Sequence, residues 1–126
     1  MSLRPGAASR WVVIVGYSAL LVILSMMPAS AASTSLGVPD WLAHGIAYGI
    51  EAAMLAWGLS GVAVVRRPIL AGLIGAIAFG MATESLQLFR PDRTAELKDL
   101  AANTAGAILA AVSMLVFGTR RMGRSE

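Results

Sequence analysis

The sequence predicts an all-α membrane protein, a bundle of four transmembrane helices. Hydrophobic residues make up 57% of the 126 residues and charged residues only 13%, against roughly 25% charged residues in a soluble domain. The hydrophobic residues form four continuous blocks, at 11–32, 41–65, 69–89 and 100–117, and each block is near the ~20 residues that cross a bilayer as a helix. Continuous blocks favour helices over the alternating strands of a β-barrel. We therefore expect a single domain that spans residues 1–126.

The first block is expected to end at Pro28, because proline cannot continue a helix. An alternative interpretation makes residues 1–31 a cleaved signal peptide, with Arg4 and Arg10 as its basic region. The apolar run from Trp11 to Met27 is longer than the ~7–15 residues of a signal-peptide core. This length favours a retained first helix.

The starts of the other three helices carry recognisable signals. Asp40 follows a proline and is expected to act as the N-cap of helix two, and Asp99 is expected to do the same for helix four. Arg66 and Arg67 precede Pro68, which suits the first turn of helix three because its missing N–H is not needed there. Helices two and three should form an antiparallel hairpin.

The basic residues indicate the topology. Lys and Arg residues precede the first block, separate the second from the third and follow the fourth, which places these three regions in the cytoplasm by the positive-inside rule. The first connection has no Lys or Arg, and the third balances its basic residues with acidic ones. We therefore predict a multi-pass protein of the cytoplasmic membrane with both termini cytoplasmic. The sequence pI of 10.2 does not indicate a nucleic-acid partner, since the basic residues lie at block ends without interleaved aromatics.

Small residues recur at helical spacing on the last two helices. Helix three carries Gly72, Gly75 and Gly80, and helix four carries Ala102, Gly106 and Ala110. Such residues let helix backbones approach closely inside a membrane, where lipid supplies no hydrophobic drive for helix association. We interpret them as packing surfaces.

Polar side chains on three helices are predicted to form one layer near the outer surface. A charged group at the bilayer centre costs roughly 2.5–3.5 kcal/mol, so these residues should face the bundle or a wet cavity. The deepest, Glu51, should be protonated or paired with a neighbouring helix. The layer contains Asp40, His44, Tyr48 and Glu51 on helix two, Glu84 and Gln87 on helix three, and Asp99 and Asn103 on helix four.

Three interpretations of this layer stay open. It could be a packing network that fixes the register of the helices. It could be a headgroup-sized binding pocket in which His44 and the acids provide hydrogen bonds and Arg93 holds an anion. It could also be catalytic, but no metal-binding spacing such as HExxH occurs and no Ser nucleophile stands out. We therefore predict no metal and no cofactor, and enzymatic activity is not favoured.

Two separated motifs resemble the VanZ-like family. They are Asp40-x3-His44-x3-Tyr48 on helix two and Glu84-x2-Gln87-x5-Arg93-x5-Asp99-x3-Asn103-x2-Gly106 across helices three and four. The end of helix one, Ser25-Met26-Met27-Pro28, is also similar, so the resemblance runs from Ile23 to Gly106. Two positions depart from the family pattern: Trp41 stands where a Lys commonly follows the motif Asp, and Arg90 replaces an apolar residue.

The resemblance implies a small multi-helix membrane protein of the bacterial cell envelope. The family is named for a member associated with resistance to the glycopeptide antibiotic teicoplanin. The resemblance does not imply enzymatic activity. We expect the polar layer to engage a lipid headgroup, a lipid-linked cell-wall precursor or a glycopeptide, with membrane lipids as partners. The alternatives are an accessory subunit that packs against other membrane proteins, and a membrane-embedded lipid-phosphate hydrolase or transferase.

Overall fold

The computed structural model describes residues 5–27, 37–62, 64, 66–91 and 97–122. In these ranges the chain forms four helices, α1 (Ala7–Met26), α2 (Asp40–Leu59), α3 (Pro68–Gln87) and α4 (Leu97–Met122). The prediction of an all-α protein is therefore confirmed. Three of the helices, namely α1, α3 and the Leu97–Gly118 part of α4, are long and apolar enough to cross a membrane.

The helix ends differ from the predicted ones. Helix α1 stops at Met26, and Met27 has an extended backbone with φ −69° and ψ 150°, the conformation favoured by a residue before proline. Pro28 itself lies outside the described residues. Helix α2 ends at Leu59 rather than at residue 65. Ser60 and Gly61 follow it as a turn, and glycine is a poor helix former. Helix α4 is longer than predicted at both ends.

The predicted helix starts are confirmed at one position and wrong at two. Pro68 is the first residue of α3, as expected. Asp40 is the first residue of α2 and Pro39 is its N-cap, without a side-chain capping bond. Asp99 likewise lies inside the first turn of α4. Neither aspartate occupies the N-cap position, and a carboxylate oxygen of each lies within 4 Å of His44 Nε2.

Helix α2 packs against α1, α3 and α4, most extensively against α4 and α3. It runs parallel to α4, since Gly45 faces Ala102 and Gly49 faces Ala110. It runs antiparallel to α1 and α3, and Ser18 of α1 therefore meets Glu51. The starts of α2 and α4 thus share one end of the bundle with the ends of α1 and α3, and we call this the polar end. The opposite end is the basic end.

Small residues allow the helix backbones to touch, as predicted. A Cβ added at Gly106 would collide with the backbone of Gly45, and one at Gly72 would lie 2.6 Å from the Ala56 nitrogen and 2.8 Å from the Ala52 oxygen. Any larger residue at these two positions would separate α2 from its neighbours. Close backbone packing of this kind is typical of helices in lipid.

The outward faces of α1, α3 and α4 expose large apolar side chains, as expected for a membrane protein. Exposed contiguous apolar surface is rare on soluble proteins, and lipid is the solvent that accepts it. Helix α2 also exposes apolar side chains, such as Ile46 and Ile50. The exposed side chains include Val12, Val15, Ile23, Ile74, Met81, Leu109 and Phe117.

Arg10 links two helices at the basic end. Its Nη1 donates to the Trp57 carbonyl oxygen at 3.0 Å and to Ser60 Oγ at 3.1 Å, and its guanidinium carbon lies 5.2 Å from the centre of the Trp57 ring. The Trp57 carbonyl oxygen also accepts from Ser60 Oγ at 2.7 Å, and a cation is favoured at this end of α2, which is the negative end of the helix dipole. The contacts fix the start of α1 against the end of α2.

Candidate functional site

His44 lies at the centre of a group of polar side chains at the polar end. Its Nδ1 lies 3.0 Å from the amide oxygen of Asn103, and an amide oxygen only accepts hydrogen bonds, so Nδ1 carries the proton. Its Nε2 lies 3.8 Å from Oδ2 of Asp40 and 3.9 Å from Oδ2 of Asp99. We call the group made of Asp40, His44, Tyr48, Thr83, Asp99 and Asn103 the polar cluster.

Tyr48 supports the His44 ring from the next turn of α2. The two rings are parallel to within 2°, with their centres 6.4 Å apart. The Tyr48 hydroxyl bonds to Oγ1 of Thr83. Thr83 donates its own proton to the Gly80 carbonyl oxygen at 3.0 Å, so Tyr48 is the donor in the bond between the two side chains. This connects α2 to α3.

The exposure of the side chains in the polar cluster increases from Asn103 to Asp40. Asn103 is 2% exposed, whereas the side chains of His44 and Asp99 are 16% and 11% exposed. The side chain of Asp40 is 71% exposed. A molecule that reaches the cluster therefore meets Asp40 first and His44 behind it.

The predicted layer is only partly one site. Asp40, His44, Tyr48, Asp99 and Asn103 come together, but Gln87 turns away and donates from Nε2 to the Ser25 carbonyl oxygen at 2.9 Å. It therefore fastens the end of α3 to the end of α1. Glu84 is buried one turn before Gln87. Arg93, the predicted anion-binding residue, lies outside the described residues.

A second polar contact lies deeper in the bundle. Ser18 Oγ donates to Oε1 of Glu51 at 2.7 Å, and the Tyr17 hydroxyl donates to the Ala47 carbonyl oxygen at 2.8 Å. Glu51 is 1% exposed. The expectation that Glu51 pairs with a neighbouring helix is confirmed.

Ser18 and Thr83 were not predicted as part of the polar network. The signal for Ser18 is weak, a single hydroxyl in an apolar helix. The sequence signal for Thr83 is stronger, because Thr83 lies four residues before Gln87 and so shares the same face of α3. Hydroxyls are often satisfied by their own helix, and sequence spacing does not show which ones reach a neighbour.

The polar cluster places charged and hydrogen-bonding groups next to exposed apolar side chains. The polar cluster offers two carboxylates, an imidazole and a buried amide, and Arg90 and Lys98 add positive charge at the same end of the bundle. Trp41 and Leu97 flank the cluster and are exposed. Polar groups that fix orientation beside apolar surface are typical of small-molecule sites.

Comparison with known proteins identifies the family. The model of the VanZ/LLP1 family matches residues 14–118. No curated protein and no solved structure matches the chain. The matched region contains most of α1, all of α2 and α3, and α4 as far as Gly118, and it includes the whole polar cluster. The chain therefore belongs to the VanZ/LLP1 family.

Proposed function

We propose that the chain crosses the bacterial cytoplasmic membrane four times, with both termini in the cytoplasm. The alternating helix directions give the bundle two distinct ends, and Arg10, Arg66 and Arg67 lie at the basic end. Basic residues concentrate on the cytoplasmic side of membrane proteins. Helix α2 is not among the three helices that are apolar enough on their own to cross a membrane, but His44, Tyr48 and Glu51 on it are turned towards its neighbours rather than towards lipid. The polar end then faces outward.

We further propose that the polar cluster binds the polar head of an amphiphile at the outer leaflet. The candidates are a lipid headgroup, a lipid-linked cell-wall precursor and a glycopeptide. The observation that carries this proposal is the convergence of His44, Asp99 and Asn103 behind the exposed Asp40. Polar groups at this depth need partners because hydrocarbon does not supply any.

The surroundings of the polar cluster support an amphiphilic ligand. Trp41 and Leu97 are exposed beside it and provide apolar surface for a tail. An anionic group on the ligand would be held by Arg93, with Arg90 and Lys98 nearby in the sequence. Arginine suits this role because its planar guanidinium binds phosphate and carboxylate groups with two parallel hydrogen bonds.

Lipids that stay bound through purification provide the test. Mass spectrometry of the native protein should show one enriched class, and His44→Ala, Glu84→Gln and Arg93→Ala should each lower its amount several-fold. Ser85→Ala is the matched control, because Ser85 lies beside Glu84 but is exposed and bonds to its own helix. Parallel samples with added phospholipid, polyprenyl-linked precursor or teicoplanin distinguish the three ligands.

The alternatives predict different results. Unchanged lipid binding and unchanged antibiotic susceptibility in folded variants would show the proposal to be wrong. If the same substitutions instead reduce thermal stability or remove a co-purifying membrane protein, the chain is an accessory subunit. Turnover of lipid phosphates by the native protein would point to a hydrolase or transferase.

A further inference from the structure

Three potential metal ligands meet at the open side of the polar cluster. Asp40 and His44 are one turn apart on α2, and Asp99 comes from α4. Their ligand atoms all lie within 4.8 Å of one another. In the described part of the chain this is the one group of three or more such side chains placed so closely. The sequence did not reveal it, because the third ligand comes from a different helix.

The hydrogen bond to Asn103 determines how His44 presents its ring. Since Nδ1 donates to Asn103 Oδ1, the nitrogen that faces the two carboxylates is Nε2. The distances of 3.8 Å to Asp40 and 3.9 Å to Asp99 are too long for hydrogen bonds. In neutral His44 the lone pair on Nε2 therefore faces the two carboxylates, and a cation lying between the three groups would be attracted by all of them.

The spacing is close to that of a metal site. Ligand atoms ~2.1 Å from a tetrahedral metal ion lie about 3.4 Å from one another. The separations around Nε2 need to shorten by about half an ångström, and the separation between the two carboxylates, at most 4.8 Å, by no more than about 1.4 Å. The exposed Asp40 side chain has room to rotate and bring its oxygen closer. Metal-binding histidines commonly donate their other ring N–H to a carbonyl oxygen. Asn103 makes this contact, and Tyr48 stacks against the same ring.

We propose that Asp40, His44 and Asp99 bind a divalent first-row transition metal ion such as Zn²⁺, with Asn103 as a positioning residue. One imidazole nitrogen and two carboxylate oxygens suit Zn²⁺ better than Mg²⁺. Three protein ligands leave a coordination position open on the exposed side of Asp40. The site does not depend on headgroup binding, so each proposal can fail without the other.

Metal binding by the full chain, purified without a polyhistidine tag and treated with a chelator, tests this proposal. Added Zn²⁺ should bind at about one ion per chain, and His44→Ala and Asp99→Asn should weaken its binding at least tenfold. Asn103→Ala should weaken it about tenfold, the effect typical of a lost partner of a ligating histidine. The matched control is Glu51→Gln, a buried acid changed to its amide outside the polar cluster, which should bind as the native chain does.

A second measurement needs no variant. The chain contains one histidine and no cysteine, so histidine-directed chemistry reports on His44 alone. Zn²⁺ should protect His44 from diethyl pyrocarbonate at least fivefold, and Mg²⁺ at the same concentration should not. Zn²⁺ binding of equal strength in the native chain, His44→Ala and Asp99→Asn, or no protection of His44, would overturn the proposal.

Discussion

Side-chain hydroxyls in this bundle divide into two groups by where they donate. Ser25, Ser85, Thr104 and Ser113 each donate to a carbonyl three or four residues earlier in their own helix. Such bonds satisfy the hydroxyl without joining helices. The hydroxyls of Tyr17, Ser18 and Tyr48 instead reach a neighbouring helix. This second group joins helices, as do Ser60 and Thr83, which donate within their own helix but accept a bond from a neighbouring one.

The bond between Ser18 and Glu51 should therefore be needed for stability. Ser18→Ala removes the donor to a carboxyl group that is 1% exposed, and we expect a loss of about 1 kcal/mol, the scale of hydrogen bonds between helices in membranes. Thermal unfolding of the purified protein in detergent measures this loss. Ser113→Ala, which removes a hydroxyl bonded within its own helix, should have almost no effect. Equal melting temperatures for the two variants would contradict the prediction.

At the scale of the helices, the close packing of α2 against α3 and α4 depends on glycine. Gly45 and Gly106 bring α2 and α4 together through their backbones, and Gly72 does the same for α3. Because α2 contacts all three neighbours, His44, Tyr48 and Glu51 are largely covered by protein, whereas Asp40 at its start is exposed. A helix with the composition of α2 would be costly on the outside of the bundle, where lipid would meet His44 and Glu51.

Gly106→Ala should disrupt the contact between α2 and α4. The added Cβ collides with the Gly45 backbone, which cannot move as a flexible side chain can, so we expect a loss of at least about 2 kcal/mol. Gly16 provides the control, since a Cβ at that position meets nothing within 4 Å. Gly16→Ala should be neutral or stabilising by up to about 1 kcal/mol because alanine is the better helix former. Thermal unfolding distinguishes the two, and similar effects at both sites would refute the packing described for Gly106.

At the scale of the whole molecule, the bundle is polarised from end to end. The polar cluster lies where α2 and α4 begin, and Arg10 secures the opposite end. A membrane with a negatively charged cytoplasmic surface would orient such a molecule with its basic end inward. The direction of this orientation can be measured independently of any ligand.

Two valines at opposite ends test the orientation. Val38 and Val64 are both exposed, and the chain has no native cysteine. In spheroplasts, a membrane-impermeant maleimide should label Val38→Cys readily and Val64→Cys only after permeabilisation. The cysteine-free native chain controls for background labelling. The reverse pattern would place the polar end in the cytoplasm, and equal labelling of both sites would contradict a single orientation.

The sequence by itself determined the all-α membrane class, the family resemblance and the small-residue packing surfaces. These three features depend on composition and on residue spacing within one segment of the chain. Both can be read from the length of the hydrophobic blocks and from the spacing of the glycines. It also predicted that Asp40, His44 and Tyr48 share a face of α2, because a helix places residues four apart on one stripe.

Only the tertiary structure decided which polar groups meet. Gln87 bonds to the end of α1, and Thr83 bonds to Tyr48. Asp99 approaches Nε2 of His44, whereas Asn103 bonds to Nδ1 of the same ring. These contacts depend on the rotation of each helix about its own axis and on its height relative to its neighbours. Both are fixed by close backbone packing between helices, such as that of Gly106 on Gly45, and the spacing within a single helix carries no record of them.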